Sequence, residues 1–421
     1  MSDIYLRKAR KRRLEEGHPW VFRTEIEAQK GDPKTGDVVV LRNHQGHFLA
    51  QGFYHETSQI AVRIASYDAT EKINAQWIKN RVKAAFAYRK RFLRDTGACR
   101  VIYGEADGLP GLIVDKYGKT AVVQILSSAM ETRRDAIIAS LIDVLHVESI
   151  YERSDARTRV QEGLEERTGL LYGECDDVIK ITENGLFFAV DIVHGQKTGH
   201  FFDQRENRLA LAPIVRFAAD EKPRPDWHYA NKAPHEDPQE GRIGASVLDC
   251  FCHTGGFGVH AAHFGARSVT FVDQSAQALA SAKHNAVLNQ VDDVCEFVEA
   301  NVFDLLRQYE KEQRRFDVVI LDPPAFAKGK SGLEGAVRGY RDINLRGLKL
   351  VKENGFLVTA SCSSPVSQSL FQEIIQEAAM DAHKILRLVE WRGAAKDHPQ
   401  RMGMAENDYL KFAIYQVNSR S

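Results

Sequence analysis

Val247-Leu-Asp249-Cys-Phe251-Cys-His-Thr-Gly255-Gly256-Phe257-Gly258 decides the fold: an apolar strand runs into a glycine-rich turn that opens a helix. Glycines let a ligand approach the backbone, and a helix N-terminus is electropositive. The next strand ends at Asp273, where an acidic side chain accepts both hydroxyls of a nucleoside ribose. The Gly-Gly-Phe-Gly spacing departs from Gly-x-Gly-x-x-Gly, which counts against a dinucleotide. Asp249, lying before the turn, suits a positively charged methionine amino group better than a pyrophosphate. S-adenosylmethionine is favoured over NAD.

Outward from this turn, strand and helix patterns alternate. Strands are expected at 246–251, 268–273, 296–299, 316–321, 356–361, 385–391 and 409–417, with helices clearest at 276–288 and 368–383. Such alternation implies an α/β fold with a mainly parallel, doubly wound sheet covered on both faces.

Two strand ends border the crevice of such a sheet. One is Leu321-Asp322-Pro323-Pro324-Ala325-Phe326, the other Ser361-Cys362-Ser363-Ser364-Pro365. A carboxylate and a thiol thus converge beside the cofactor. Pro365 reads as the first residue of the following helix with Ser364 as its cap, a helix N-terminus whose dipole would lower the Cys362 thiol pKa. Cys99, Cys175, Cys250, Cys252 and Cys295 read as packing. Without a Cys-x-x-Cys pair, neither a disulfide scaffold nor a metal site is supported.

Before the sheet, residues 1–68 carry short alternating strands punctuated by glycine, the pattern of a small β-barrel or sheet. Residues 74–94 form an amphipathic basic helix with Ile78, Val82, Phe86 and Leu93 on one face. Residues 101–190 read as a small α+β domain, and 218–246 as an exposed connector. At 421 residues, 43% hydrophobic and 27% charged, the chain suits two or three globular domains and excludes wholesale disorder. The N-terminus lacks a signal peptide's apolar stretch and no apolar run spans a bilayer, so a cytoplasmic location without membrane partners is expected. Net charge is zero, yet residues 1–94 hold 19 Lys+Arg against 10 Asp+Glu, which points that portion toward a polyanion.

These motifs, together with Arg338-Gly-Tyr-Arg-Asp-Ile-Asn344, closely resemble the RlmI-type large-subunit ribosomal RNA cytosine-5 methyltransferases. The resemblance extends to His18-Pro-Trp-Val-Phe22 and Ser58-Gln-Ile-Ala-Val-Arg63 of that family's PUA domain, Gly104-Glu-Ala-Asp-Gly-Leu-Pro-Gly-Leu-Ile-Val-Asp115 of its middle domain, and Lys197-Thr-Gly-His-Phe-Phe-Asp-Gln-Arg205 at the entry to its cofactor domain. It implies a PUA-like RNA-binding domain over 1–70, an α+β middle domain over 71–190 and a Rossmann-like methyltransferase domain over 191–421.

The implied activity is methylation of C5 of one cytidine in 23S ribosomal RNA, free or in a large-subunit assembly intermediate. Cys362 is the implied nucleophile and Asp322 the pocket carboxylate. The cofactor set is Asp249, Phe251, Thr254, Gly255, Gly256 and Phe257 of the turn, with Gln204, Arg205, Asp273, Ser275, Asn301 and Asp322. Asn301 stands where relatives commonly have Asp near the adenine. Phe326 and Tyr340 are candidate stacking partners for a flipped base. Arg338, with Arg341 and Arg346, is a candidate phosphate clamp, and Arg10, Lys11, Arg12 and Arg13 supply sequence-independent RNA affinity.

Three other readings stay open: methylation of a guanine nitrogen, which needs no nucleophile; a small-molecule methyltransferase, against the basic N-terminus; and a non-catalytic RNA-binding assembly factor. The oligomeric state is also open, a homodimer included.

Overall fold

The structure is a computed structural model that describes residues 2–8, 13–216, 244–327 and 329–420. Arg10, Lys11, Arg12 and most of the 218–246 connector lie outside the described residues. The chain divides into two compact units, one of Met1–Ile181, Val190–Asp203 and Lys396–Asn407, the other of Thr182–Ala189, Gln204–Ala395 and Asp408–Ser421.

The first unit begins with a six-stranded sheet in the order Trp20–Phe22, Ile60–Ser66, Phe48–Tyr54, Val38–Arg42, Ser2–Leu6, Ile26–Lys30. Its two edge strands, Trp20–Phe22 and Ile26–Lys30, are joined directly by the single turn Arg23–Glu25. Five spacings of about 4.8 Å would separate those edges by about 24 Å in a flat sheet, whereas that link reaches at most about 14 Å. The sheet therefore curls into a barrel around Ile4, Leu41, Val62 and Ile64. A five-stranded sheet follows (Arg167–Tyr172, Ser149–Ser154, Thr120–Ile125, Leu112–Tyr117, Ala98–Tyr103), with helices Ala75–Phe92 and Arg134–Leu145 packed together.

The Ala75–Phe92 helix, capped by Asn74 accepting the Trp77 N–H, buries Ile78, Val82 and Phe86 as the periodicity requires. Of its basic residues, Lys83, Lys90 and Arg91 are exposed, whereas Arg89 is fully buried, bonded to the Arg100 and Asp397 carbonyls and to Asp107. Part of the positive excess of residues 1–94 is likewise met by acids from later in the chain. Arg63 pairs with Glu105 and Glu162, and Lys79 with Asp143.

The second unit is built on seven strands: β1 (Ser246–Cys250), β2 (Ser268–Asp273), β3 (Cys295–Glu299), β4 (Phe316–Leu321), β5 (Val351–Ser361), β6 (Lys384–Arg392) and β7 (Lys411–Ser419). Their order is β3-β2-β1-β4-β5-β7-β6. The first five run parallel, and β7 is antiparallel to both neighbours. The helices fall into two packed groups: α1 (Gly256–His263) and α2 (Ala276–Leu288) with the short helices Arg205–Leu209 and Ala212–Arg216, and α3 (Val302–Lys311), α4 (Leu333–Leu350) and α5 (Gln368–Asp381). Strand order reverses between β1 and β4, which opens the ligand crevice at their carboxyl ends.

Candidate active site

The turn after β1 is strained. Phe251 and His253 have φ of 61° and 49°, in the left-handed region costly for side chains, and Gly255 has 83°. Glycine is required here by packing too: a Cβ on Gly258 would lie 2.1 Å from the Phe271 ring, and one on Gly256 2.7 Å from Arg208 Nε. Asp249 holds the turn by accepting the Gly258 N–H at 2.8 Å. Burial pushes its carboxyl up to about 8, aided by the charges of Asp322 and Asp273 and opposed by the Gly258 N–H and Arg208. Asp273 accepts the His253 N–H at 2.9 Å and the Ser275 N–H at 3.0 Å, one on each oxygen. A carboxylate oxygen has a second lone pair, so both remain able to take a ribose hydroxyl.

Three carboxylates thus converge on the β1, β2 and β4 ends. That donor set suits a cationic ligand with sugar hydroxyls, and a bound ammonium would relieve the mutual repulsion of Asp249, Asp273 and Asp322. The chemistry of S-adenosylmethionine fits these residues.

Several of the expected cofactor residues also carry contacts within the protein. Phe257 is buried and stacks on Phe412 at 6.0 Å, under the turn. Arg205 is buried at 3.6 Å from Glu183, drawn off by that carboxylate's charge. Gln204 commits both ends of its amide inside the protein, donating to Asp322 Oδ1 at 3.0 Å and accepting from Asn207 at 2.7 Å. It orients the pocket carboxylate. Ser275 and Asn301 are exposed helix caps, accepting the Ala278 N–H at 3.2 Å and the Phe303 N–H at 2.9 Å. The Thr254 carbonyl accepts a bond from buried Asn285 at 2.9 Å, which ties the turn to α2.

At the neighbouring strand ends, Cys362 Sγ approaches the Pro323 carbonyl oxygen at 3.8 Å, placing the thiol beside the Asp322-Pro323 step. Helix α5 starts at Gln368 with Ser367 as its cap, three residues later than Pro365, so the expected dipole is not adjacent to the thiol. Cys250 and Cys252 are no rivals: both are buried, and burial pushes their thiols well above the ordinary range. The next residue, Ser363, is buried, accepts the Ala327 N–H at 3.2 Å and bonds the Tyr340 hydroxyl at 2.9 Å.

Sequence reasoning missed Lys411. It is fully buried at the start of β7, opposite Ser361, and donates to the Ser363 and Tyr409 carbonyls at 2.8 Å each. Burial lowers its ammonium to about 8, against the raising effects of Asp408 and Cys362. A lysine opening the otherwise apolar stretch Phe412-Ala-Ile-Tyr415 was the available signal.

The RNA-contact expectations divide. Tyr340 has no exposed surface and its hydroxyl is spent on Ser363, so it supports the Cys362 loop and offers no face to a base. Phe326 stays partly exposed, with Tyr340 at 4.6 Å and Phe303 at 5.9 Å behind it. Arg341 pairs with Asp381 and Glu377, and Arg346 with Glu310 and Asp342, leaving neither an open clamp. Arg338 is exposed. Arg13 is exposed and lies 5.2 Å from the Phe22 ring.

Comparison with known proteins gives the family and the fold. A family described as a PUA-like domain matches residues 4–67, and one described as conserved hypothetical protein 95 matches residues 220–380. The chain is 41% identical over 419 residues to a ribosomal RNA large subunit methyltransferase I of Shewanella frigidimarina, covering 98% of this chain and 99% of the relative. The chain belongs to this family. A second ribosomal RNA large subunit methyltransferase I, from Photobacterium profundum, is 41% identical over 421 residues, with 98% and 99% of the two chains covered. Among solved structures, a putative SAM-dependent methyltransferase from Streptococcus mutans superposes with a TM-score of 0.78 at 21% identity, covering 99% and 100% of the two chains. A putative methyltransferase complexed with SAH reaches 0.79, also at 21% identity with 99% and 100% covered. Both share the fold that the large subunit methyltransferase I family adopts here.

Proposed function

We propose that this protein methylates C5 of a cytidine in large-subunit ribosomal RNA through a covalent adduct of Cys362 at C6. S-adenosylmethionine is the methyl donor, and when bound it supplies an electrophilic methyl group. The observation that carries the reading is the thiol of Cys362 on the Asp322-Pro323 step, at the edge where Asp249 and Asp273 gather.

Cytosine C5 is a poor nucleophile. Attack of the Cys362 thiolate forms a C6–S bond and sends the ring's π electrons to N3, which takes a proton from solvent; C4–C5 becomes an enamine, whose electron pair at C5 takes the methyl group. Asp322, oriented by Gln204, accepts from N4 and from the protonated N3 and stabilises the positive charge that the N3–C4–N4 group acquires as the methyl group is transferred. Loss of the C5 proton to a base then expels the thiolate and restores the double bond. The ring must leave any duplex to reach the thiol, and the partly exposed Phe326 offers it an aromatic surface.

The test is RNA carrying 5-fluorocytidine. Fluorine cannot leave C5 as a proton does, so the adduct persists. Peptide mapping is expected to place the RNA on Cys362; an adduct on Cys250 or Cys252, or full methylation by Cys362→Ala, overturns the proposal.

A further inference from the structure

The expected source of a reactive thiol, the α5 N-terminus, is out of place, yet a cation stands near Cys362. Lys411 heads β7, directly opposite Ser361 in the antiparallel ladder, one residue before the thiol. It has no exposed surface, and two of its three N–H groups are bonded to the carbonyls of Ser363 and Tyr409. Those bonds clamp the residue after Cys362 and aim the ammonium at the same turn. A buried ammonium is costly unless its charge is paired or solvated by dipoles. Two carbonyl dipoles stabilise it, and Asp408 and the Cys362 side chain favour its charged form.

We propose that Lys411 is a positioning residue that clamps the 361–363 turn and supplies the positive charge that keeps Cys362 ionised for attack. A cation next to a thiol favours the thiolate. Among the described residues, Lys411 from β7 and Tyr340 from α4, whose hydroxyl is turned to Ser363, act on the thiol, and Asp322 precedes the Pro323 carbonyl that it meets. Lys411 is the cation of this set. The arrangement is reciprocal: the thiolate holds the proton on Lys411 as firmly as the ammonium holds the thiol ionised. As pH rises through about 8, where the ammonium is half deprotonated, the support for the thiolate fades.

This inference rests on Cys362 being the nucleophile, so its test measures thiol ionisation apart from turnover. The rate at which iodoacetamide alkylates Cys362 in the full-length protein, read by peptide mass spectrometry from pH 5 to 10, gives the midpoint of ionisation. Lys411→Met is expected to raise that midpoint and slow alkylation at pH 7 by about tenfold or more, on the scale of one pKa unit. Lys411→Arg, which keeps the charge, is expected to stay close to the wild-type midpoint. S-adenosylmethionine affinity by calorimetry shows that each variant is folded. An unmoved midpoint in a folded Lys411→Met protein overturns the inference and leaves the nucleophile intact; full methylation by Cys362→Ala sinks the nucleophile and not the ion pair. Should Lys411→Met fail to bind the cofactor, Cys362→Ala decides from the other side. There the Lys411 ammonium, followed by NMR of isotope-labelled lysine, is expected to titrate at lower pH than in wild type, and an unchanged titration refutes the coupling.

Discussion

The carboxyl edge of the second unit has two halves, built in different ways. On the β1–β2 side, Asp249 and Asp273 are held by backbone N–H groups of Gly258, His253 and Ser275, all within 20 residues of their acceptors. On the β4–β5 side, Asp322 is held by Gln204, 118 positions away, and the Cys362 turn by Tyr340 and by Lys411, whose partner Ser363 lies 48 positions off. A main-chain cradle tolerates side-chain change as long as the turn closes. A side-chain cradle fails when any one distant residue is replaced.

The sharpest break between the halves is Cys362→Ala. Methylation is expected to fall by at least about 10⁴-fold, the scale of losing a covalent nucleophile, while calorimetry finds S-adenosylmethionine affinity unchanged. An equal loss of both would merge the two halves into one site.

Next in size, Asp273→Ala removes the acceptor of two backbone N–H bonds and of the ribose hydroxyls. Cofactor binding is expected to weaken by about 2 to 3 kcal/mol, the scale of buried polar groups left unpaired. Unchanged calorimetric affinity would place the ribose elsewhere.

Asp249 allows a proton to be counted. Because burial raises its carboxyl from 3.8 to about 8, the folded protein without cofactor holds this proton more tightly than the unfolded chain. Its stabilising contribution is full below about pH 4 and is lost as pH rises toward 8. Asp249→Asn should flatten that part of the stability profile in thermal melts. A cationic ligand reverses the preference, so binding at pH 7 should release close to one proton, measured by calorimetry in buffers of different ionisation enthalpy. Binding without proton release would mean that Asp249 is already ionised.

Tyr340→Phe tests the corrected role of that ring. Loss of its bond to Ser363 is expected to cost about 1 kcal/mol of stability and to leave RNA affinity unchanged; a large loss of affinity would restore Tyr340 as a contact. The smallest effect is expected of Arg338→Ala, a drop of about 0.9 or less in the slope of log affinity against log salt. No change in slope removes Arg338 from the interface.

Legibility followed the same divide. The strand and helix periods around Gly255 and Gly256 placed β2, β4 and α2 where the structure has them. The charge count of residues 1–94 overstates the free positive charge, because Arg63, Lys79 and Arg89 pair with Glu105, Glu162, Asp143 and Asp107 from beyond that segment. A linear sum cannot see pairs closed by folding. Tyr340 and Phe257 show a related limit of linear order: an aromatic at a site and an aromatic under a site read alike until burial separates them, and both are buried.

What the sequence determined by itself is whatever depends on neighbours along the chain: the period of apolar residues, the glycine turn, and which strand ends carry Asp322 and Cys362. These are short-range, set by backbone sterics and local hydrogen bonds. The tertiary structure alone decided which side chains lie against those strand ends. Gln204 behind Asp322 and Lys411 beside the Cys362 turn arrive from distant segments, Gln204 from the turn before Arg205–Leu209 and Lys411 through the antiparallel pairing of β7 with β5. Their effect is electrostatic and works only at contact distance in a buried setting, where no property of the linear order records it.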